Sequence, residues 1–84
     1  QVRRAGELVN LTARELNLLE LLMRNPQKVL SRERILANVW SMNEDPLTNV
    51  VDVYIRRLRN KLDKGHAVGY VRTLRGTGYY LSSD

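Results

Sequence analysis

One face of a predicted helix carries residue types that suit hydrogen bonding to base pairs. At 100° per residue, five side chains of a helix predicted over about residues 48–63 lie opposite the apolar positions: Asn49, Val53, Arg56, Arg57 and Asn60. Arginine matches the guanine edge, asparagine matches adenine, and an aliphatic group can contact the thymine methyl. This face therefore favours insertion into the major groove of DNA. A solvated basic helix with one exposed valine is the alternative.

A second basic feature follows that helix in the sequence. Arg75 precedes Gly76 and Gly78, which permit a tight turn with positive φ, and Thr73 supplies a hydroxyl nearby. A basic tip on a thin hairpin can enter a minor groove or contact phosphate. Alone, this pattern is also typical of a surface turn. A basic helix followed directly by a basic hairpin is, however, the order of elements in a winged helix.

The charge of the chain is concentrated at one end. The net charge is +5, and residues 1–53 balance seven basic against seven acidic residues. Residues 54–84 carry seven basic residues against Asp63 and Asp84. Such localisation indicates a polyanion-binding surface, although a solvated basic face kept for solubility has the same composition.

Length and composition exclude several classes of protein. The 84 residues predict one domain over 1–84, and the lack of cysteine excludes disulfides and thiolate zinc sites. No apolar run reaches transmembrane length, so we expect a cytoplasmic domain. His66 is the single histidine, and no nucleophile, base and orienting group can be assembled. We predict no enzyme activity, no metal and no cofactor.

The elements that position these residues begin with a short hairpin in residues 1–11, with its turn near Gly6. Thr12 and Glu15 form a capping-box pattern that opens a helix over residues 13–25, before Pro26. Leucines cover most of the circumference of this helix. We therefore expect it to be buried on two sides as the centre of the core.

Two further helices and a closing hairpin follow. Ser31 caps a helix predicted over residues 32–41, and the third helix is predicted over about 48–63. Asp52 is interpreted as the ion-pair partner of Arg56. One stripe of the third helix is predicted to be buried, namely Val51, Ile55, Leu58 and Leu62. Residues 70–81 predict a β-hairpin with its tip at 74–78. The fold class is α+β: a winged helix-turn-helix with a short N-terminal antiparallel sheet, a three-helix core and a C-terminal wing.

Several sequence segments resemble one known family. They are Leu11–Glu15, Val29–Glu33, Val39–Trp40, Val51–Arg59 and Thr73–Tyr79. Together they are similar to the OmpR/PhoB-type effector domain of bacterial two-component response regulators, from about Val2 to Leu81. The sequence differs from the common family pattern at Tyr54, where histidine is frequent.

The resemblance implies sequence-specific binding to double-stranded DNA. It implies that Val53 and Arg57 contact bases with Arg56 close by, and that Arg75 enters the minor groove. It further assigns contacts with the DNA backbone to Trp40, Tyr54, Arg59 and Thr73. A winged helix that binds proteins instead of DNA is the alternative, although such domains lose the basic outer face that is intact here.

The resemblance also implies partners. Family members have an N-terminal receiver domain, absent from these 84 residues, through which a sensor kinase acts. They bind direct repeats in promoters as head-to-tail dimers, so we expect the isolated domain to be a monomer. The loop between the second and third helices often contacts RNA polymerase, which assigns that role to Met42, Asn43, Glu44 and Asp45.

Overall fold

The computed structural model describes residues 2–40, 49–66 and 69–82. Within these ranges the chain forms three helices and two antiparallel two-stranded sheets. In chain order the elements are β1 (Val2–Arg4), β2 (Glu7–Val9), α1 (Ala13–Arg24), α2 (Arg32–Val39), α3 (Val50–Leu62), β3 (Val71–Leu74) and β4 (Gly78–Leu81). The predicted winged-helix class is confirmed.

The N-terminal hairpin is tied to the end of α3. Val2 pairs with Val9, and Ala5 and Gly6 form the turn with positive φ. Arg4 donates from Nε to the Leu62 carbonyl oxygen at 3.0 Å. The Arg4 guanidinium also lies 3.8 Å from the centre of the Tyr70 ring. Because two strands alone are barely stable in water, these contacts hold the hairpin in place.

Helix α1 is the central element of the core, as predicted, and one of its edges faces an open groove. Its capping box is present, with the Thr12 side chain accepting from the Glu15 N–H and the Glu15 carboxylate accepting from the Thr12 N–H. Leu16 and Met23 remain 37% and 58% exposed. They face an open groove of about 930 Å³ beside the N-terminal hairpin. Helix α1 packs against α2, α3 and β4, which agrees with the prediction of packing on two sides, but the open groove leaves Leu16 and Met23 outside the core.

Helix α2 is shorter than predicted. The Ser31 hydroxyl accepts from the Arg34 N–H at 3.1 Å, which confirms the predicted cap. The helix ends at Val39, and Trp40 adopts an extended backbone with φ −106° and ψ 144°. The predicted end at residue 41 lies outside the described residues.

Helix α3 buries the stripe predicted from its periodicity: Val51, Ile55, Leu58 and Leu62. The helix begins at Val50, after Asn49, and ends at Leu62. The Asp63 carboxylate then accepts from the backbone N–H groups of Tyr70 and Val71 at 3.0 and 3.1 Å. This aspartate therefore joins the end of α3 to the start of the wing.

The wing hairpin extends over the link between α1 and α2. Val71 pairs with Leu81, and Leu30 exchanges two backbone hydrogen bonds with Tyr79, at 2.8 and 2.9 Å. Gly76 has a φ of +75°, but Gly78 does not adopt a positive φ. The prediction that both glycines serve the turn was therefore wrong for Gly78. Gly78 instead allows β4 to lie close to the backbone of Leu30, against which it is buried.

The core lies between the helices and is closed by the wing. Its buried side chains come from all three helices and from both strands of the wing sheet or their immediate neighbours. None of the helices in the described ranges is long and apolar enough to cross a membrane.

Candidate nucleic-acid interface

The outer face of α3 presents the predicted polar side chains to solvent. Arg56, Arg57 and Asn60 are exposed, and Val53 is half-buried. Because the opposite face holds the buried stripe, this orientation follows from the apolar pattern alone. The structure thus brings the four predicted base-contact residues onto one surface. Their individual contacts with bases stay a prediction.

One edge of this face is supported by a series of ring contacts. The Arg57 guanidinium lies 4.9 Å from the centre of the Tyr54 ring. Tyr54 meets Trp40 edge-on, with ring centres 5.3 Å apart and planes at 82°. Arg14 of α1 lies 5.0 Å from the centre of the Trp40 ring. These contacts restrict Arg57 before any DNA is bound.

Trp40 is mainly a core residue, since it is 7% exposed. The family resemblance assigns it a contact with the DNA backbone. Its packing on Tyr54 and Arg14 accounts for the burial. A contact with the DNA backbone would involve only the small exposed part of the ring.

Arg59 and Thr73, both predicted to contact the DNA backbone, are bonded to each other. Arg59 donates from Nη2 to the Thr73 hydroxyl and from Nε to the Val71 carbonyl oxygen, the latter at 2.9 Å. A guanidinium has five N–H donors, so these two bonds leave donors for a phosphate. These hydrogen bonds join α3 to β3.

Arg75 occupies the tip of the wing and is exposed. The turn is closed by a hydrogen bond from the Thr77 N–H to the Leu74 carbonyl oxygen at 3.0 Å. The positive φ of Gly76, the third residue of this four-residue turn, is typical of a type II turn. The arginine side chain consequently projects from a narrow hairpin.

Asp52 has different partners from the one expected. Its carboxylate accepts from Arg32 Nε at 2.8 Å and from the Tyr79 hydroxyl. No ion pair with Arg56 forms among the described residues, and Arg56 exerts only a weaker electrostatic effect. The expectation was wrong because the Asp52 side chain points toward α2 and the wing instead of along its own helix.

The protonation of this cluster follows from its hydrogen bonds. The Tyr79 hydroxyl and then the Arg32 guanidinium lower the pKa of Asp52, against the opposing effect of burial. Burial, followed by the hydrogen bond and charge of Asp52, raises the pKa of Tyr79. At neutral pH the site is an ionised carboxylate held by a neutral phenol and a cation.

A second ion pair was also missed by sequence reasoning. Lys61 Nζ lies 2.6 Å from the Glu15 carboxylate, which is 2% exposed. Burial raises the pKa of Glu15, but hydrogen bonds from Lys61 and Thr12 outweigh it and lower the pKa overall. The capping-box pattern predicted only a capping role for Glu15. A separation of 46 residues leaves no local signal for the pair.

Residues 42–45, which the sequence analysis assigned to a contact with RNA polymerase, lie outside the described residues. Among the residues that the structure does describe, no three acidic, histidine or cysteine side chains cluster in a way that could hold a metal.

The fold and this basic face define the class of protein: a winged-helix DNA-binding domain. The sequence profile described as "Transcriptional regulatory protein, C terminal" matches residues 6–81. The chain belongs to this family, the OmpR/PhoB-type effector domains of response regulators. The family comprises DNA-binding domains of transcription factors, not enzymes.

Sequence relatives agree with this assignment. The chain is 48% identical over 81 residues to the uncharacterized transcriptional regulatory protein YkoG of Bacillus subtilis, covering 96% of this chain and 36% of that protein. It is 46% identical over 80 residues to the transcriptional regulatory protein PcoR of Escherichia coli, covering 95% and 35%. The chain thus spans about a third of the length of the curated relatives that it matches.

Solved structures extend the comparison to a DNA complex. The chain is 30% identical to the RstA DNA-binding domain of Klebsiella pneumoniae, solved in complex with the RstA box, with a TM-score of 0.78. That match covers 94% of this chain and 80% of the other. A structure from the streptococcal redox sensors that evolved from two-component response regulators is 47% identical, with a TM-score of 0.82, and covers 94% and 34%.

Proposed function

We propose that this domain binds double-stranded promoter DNA in a sequence-specific manner, with α3 in the major groove and the wing at the minor groove. The observation that carries the proposal is the exposed Arg56, Arg57 and Asn60 face, joined to the wing through Arg59 and Thr73. A basic helix and a basic hairpin tip on connected elements can occupy two adjacent grooves at once.

The residues divide into two roles. Val53, Arg56, Arg57 and Asn60 would contact base edges, since their side chains match the chemistry of the major groove. Phosphates would be held by Arg59 and Thr73 and, separately, by Tyr54 and the exposed edge of Trp40. Arg75 would enter the minor groove, where a narrow, negative groove attracts arginine.

The whole regulator would supply further partners. By similarity, an N-terminal receiver domain would take a phosphoryl group from a sensor kinase and bring two copies together head to tail on DNA. The loop at residues 42–45 would contact RNA polymerase. Since chromosomal DNA is the target, the domain would act in the cytoplasm. Without the receiver domain we expect a monomer, which sedimentation velocity over a concentration series would test.

A gel-shift titration tests DNA binding itself. The domain is titrated into a mixed-sequence duplex at about 50 mM and about 200 mM salt, because phosphate contacts dominate non-specific affinity and weaken steeply with salt. We expect binding at the lower salt and a marked loss at the higher. No binding at the lower salt would contradict the proposal and favour a winged helix that docks on protein.

Selection from random DNA then tests specificity. The domain is used to enrich bound duplexes, and the enriched sequence and its half-site spacing are determined. A defined motif is expected, with discrimination over random DNA that single base changes reduce. Enrichment without any motif would show that binding is non-specific and would contradict the assigned base contacts.

A further inference from the structure

Three elements of the interface meet at one half-buried carboxylate. Asp52 lies in the first turn of α3 and accepts from Arg32, the first residue of α2, at 2.8 Å. It also accepts from the hydroxyl of Tyr79, on β4 of the wing. Tyr79 is 4% exposed. The cluster of Arg32, Asp52 and Tyr79 therefore joins the helix-turn-helix to the wing.

The cluster lies between the two DNA-contacting surfaces of the proposed function. Asp52 directly precedes Val53, and Tyr79 follows Arg75 by four residues on the far side of the wing turn. Neither Asp52 nor the Tyr79 hydroxyl is required to fill the core, since the ring of Tyr79 is already packed against Leu30 and the helices. The hydroxyl-to-carboxylate bond adds direction, because a hydrogen bond fixes orientation where apolar packing does not.

A second attachment lies two turns further along α3. Arg59, seven residues after Asp52, donates to Val71 and Thr73 on β3. The two attachments are about 10 Å apart along the helix axis, given the rise per residue of an α-helix. Arg59 and the Asp63 carboxylate, which accepts from Tyr70 and Val71, both hold the β3 side of the hairpin. Attachment through that side alone would permit the wing to pivot. The bond from Tyr79 to Asp52 adds a side-chain attachment to β4, so both strands are held and the angle to α3 is fixed.

From this arrangement we infer that Asp52 and Tyr79 are positioning residues that set the angle between α3 and the wing. The inference rests on the proposed function. With that angle fixed, base contacts in the major groove and the Arg75 contact in the minor groove form together, without a separate cost of ordering the wing. The cluster thereby selects DNA whose groove separation matches the domain, a contribution to specificity that involves no base contact.

A double-mutant cycle on DNA affinity tests this inference. Tyr79→Phe removes the hydroxyl and keeps the ring, and Arg75→Ala removes the wing contact. Dissociation constants are measured for both single variants and the double variant on a selected site and on a random duplex. Tyr80→Phe is the matched control, because the neighbouring Tyr80 is half-buried and its hydroxyl makes no hydrogen bond to the described residues.

We expect Tyr79→Phe to weaken binding to the selected site about fivefold and to leave the random duplex nearly unchanged. The fold increase in dissociation constant caused by Arg75→Ala should be about three times smaller in the Tyr79→Phe background than in wild type, since an unfixed wing contributes less to binding. Tyr80→Phe should change neither value. Asp52→Asn keeps an acceptor for Tyr79 and loses the charge opposite Arg32. Its effect should also be non-additive with that of Arg75→Ala, but to a smaller extent than the effect of Tyr79→Phe.

The outcomes separate this inference from the proposed function. Wild-type binding to the selected site, combined with additive effects of Tyr79→Phe and Arg75→Ala, would overturn the positioning role alone. Equal losses on selected and random DNA would overturn it too, because a merely destabilised fold weakens both. Absence of wild-type binding to either duplex would overturn the proposed function and, with it, this inference.

Discussion

Gly78 lies against the backbone of Leu30, so closely that a Cβ at residue 78 would be 2.0 Å from the Leu30 carbonyl oxygen. The two backbone hydrogen bonds between Leu30 and Tyr79 depend on this approach. The wing is therefore anchored to the link between α1 and α2 at the residue where β4 begins.

Substitution of this glycine should destabilise the fold. Gly78→Ala would force β4 away from Leu30, and we expect a loss of about 3 kcal/mol in the free energy of unfolding. Urea denaturation followed by circular dichroism measures it. Gly76→Ala is the control, since nothing lies within 4 Å of its Cβ position and only its φ of +75° is unfavourable, which costs about 1–2 kcal/mol. Equal losses for the two variants would contradict the close-approach explanation.

The ion pair between Glu15 and Lys61 should make stability depend on acid pH. The pKa of Glu15 is lowered in the folded state. Its stabilisation is therefore complete above the pKa of an unfolded glutamate, about 4.3, and is lost as pH falls through the lower folded pKa. Glu15→Gln should cost about 1–2 kcal/mol at pH 7 and flatten the acid side of the stability profile.

Denaturation of wild type and Glu15→Gln between about pH 2 and pH 7 checks this. Some acid dependence should persist in the variant, because the pKa of Asp52 is lowered as well and contributes in the same direction. Identical acid profiles for the two proteins would show that Glu15 is not the responsible group.

Arg57 should discriminate between bases. Arg57→Ala should cost about 1–3 kcal/mol of binding free energy at a selected site and relax the preference at one base pair. Competition binding against single-base variants of that site measures both effects. Arg24→Ala serves as a charge-matched control, because Arg24 is exposed in the last turn of α1 and is not part of the predicted DNA-contacting face. A loss of equal size on selected and random DNA would argue against base contact by Arg57.

Arg59 should contribute a phosphate contact that does not depend on sequence. Arg59→Ala should weaken binding to all duplexes and reduce the slope of log K against log salt by about 1. Arg59→Lys keeps the charge while losing the paired bonds to Val71 and Thr73, so its slope should stay near that of wild type. An unchanged slope in Arg59→Ala would contradict the phosphate contact and would show that Arg59 only joins α3 to the wing.

Local sequence signals were sufficient for the elements and for the orientation of α3. The capping box at Thr12, the cap at Ser31 and the buried stripe from Val51 to Leu62 depend on residues within a few positions of each other. Such patterns predict which face of a helix is buried, and hence that Arg56 and Arg57 are exposed. They do not predict what covers a face, which is why the exposure of Leu16 was missed.

Tertiary structure decided which polar groups meet. Asp52 bonds to Arg32 and Tyr79, which are 20 and 27 residues away, instead of to Arg56 on its own helix. The choice depends on how α2 and the wing pack on α3, and no periodicity encodes it. Local sequence patterns predicted a basic helix and a basic hairpin in the order of a winged helix. Only the packed chain established that this helix and hairpin are joined through Asp52, Arg59 and Asp63, because hydrogen bonds between distant segments form only where the fold brings donor and acceptor together.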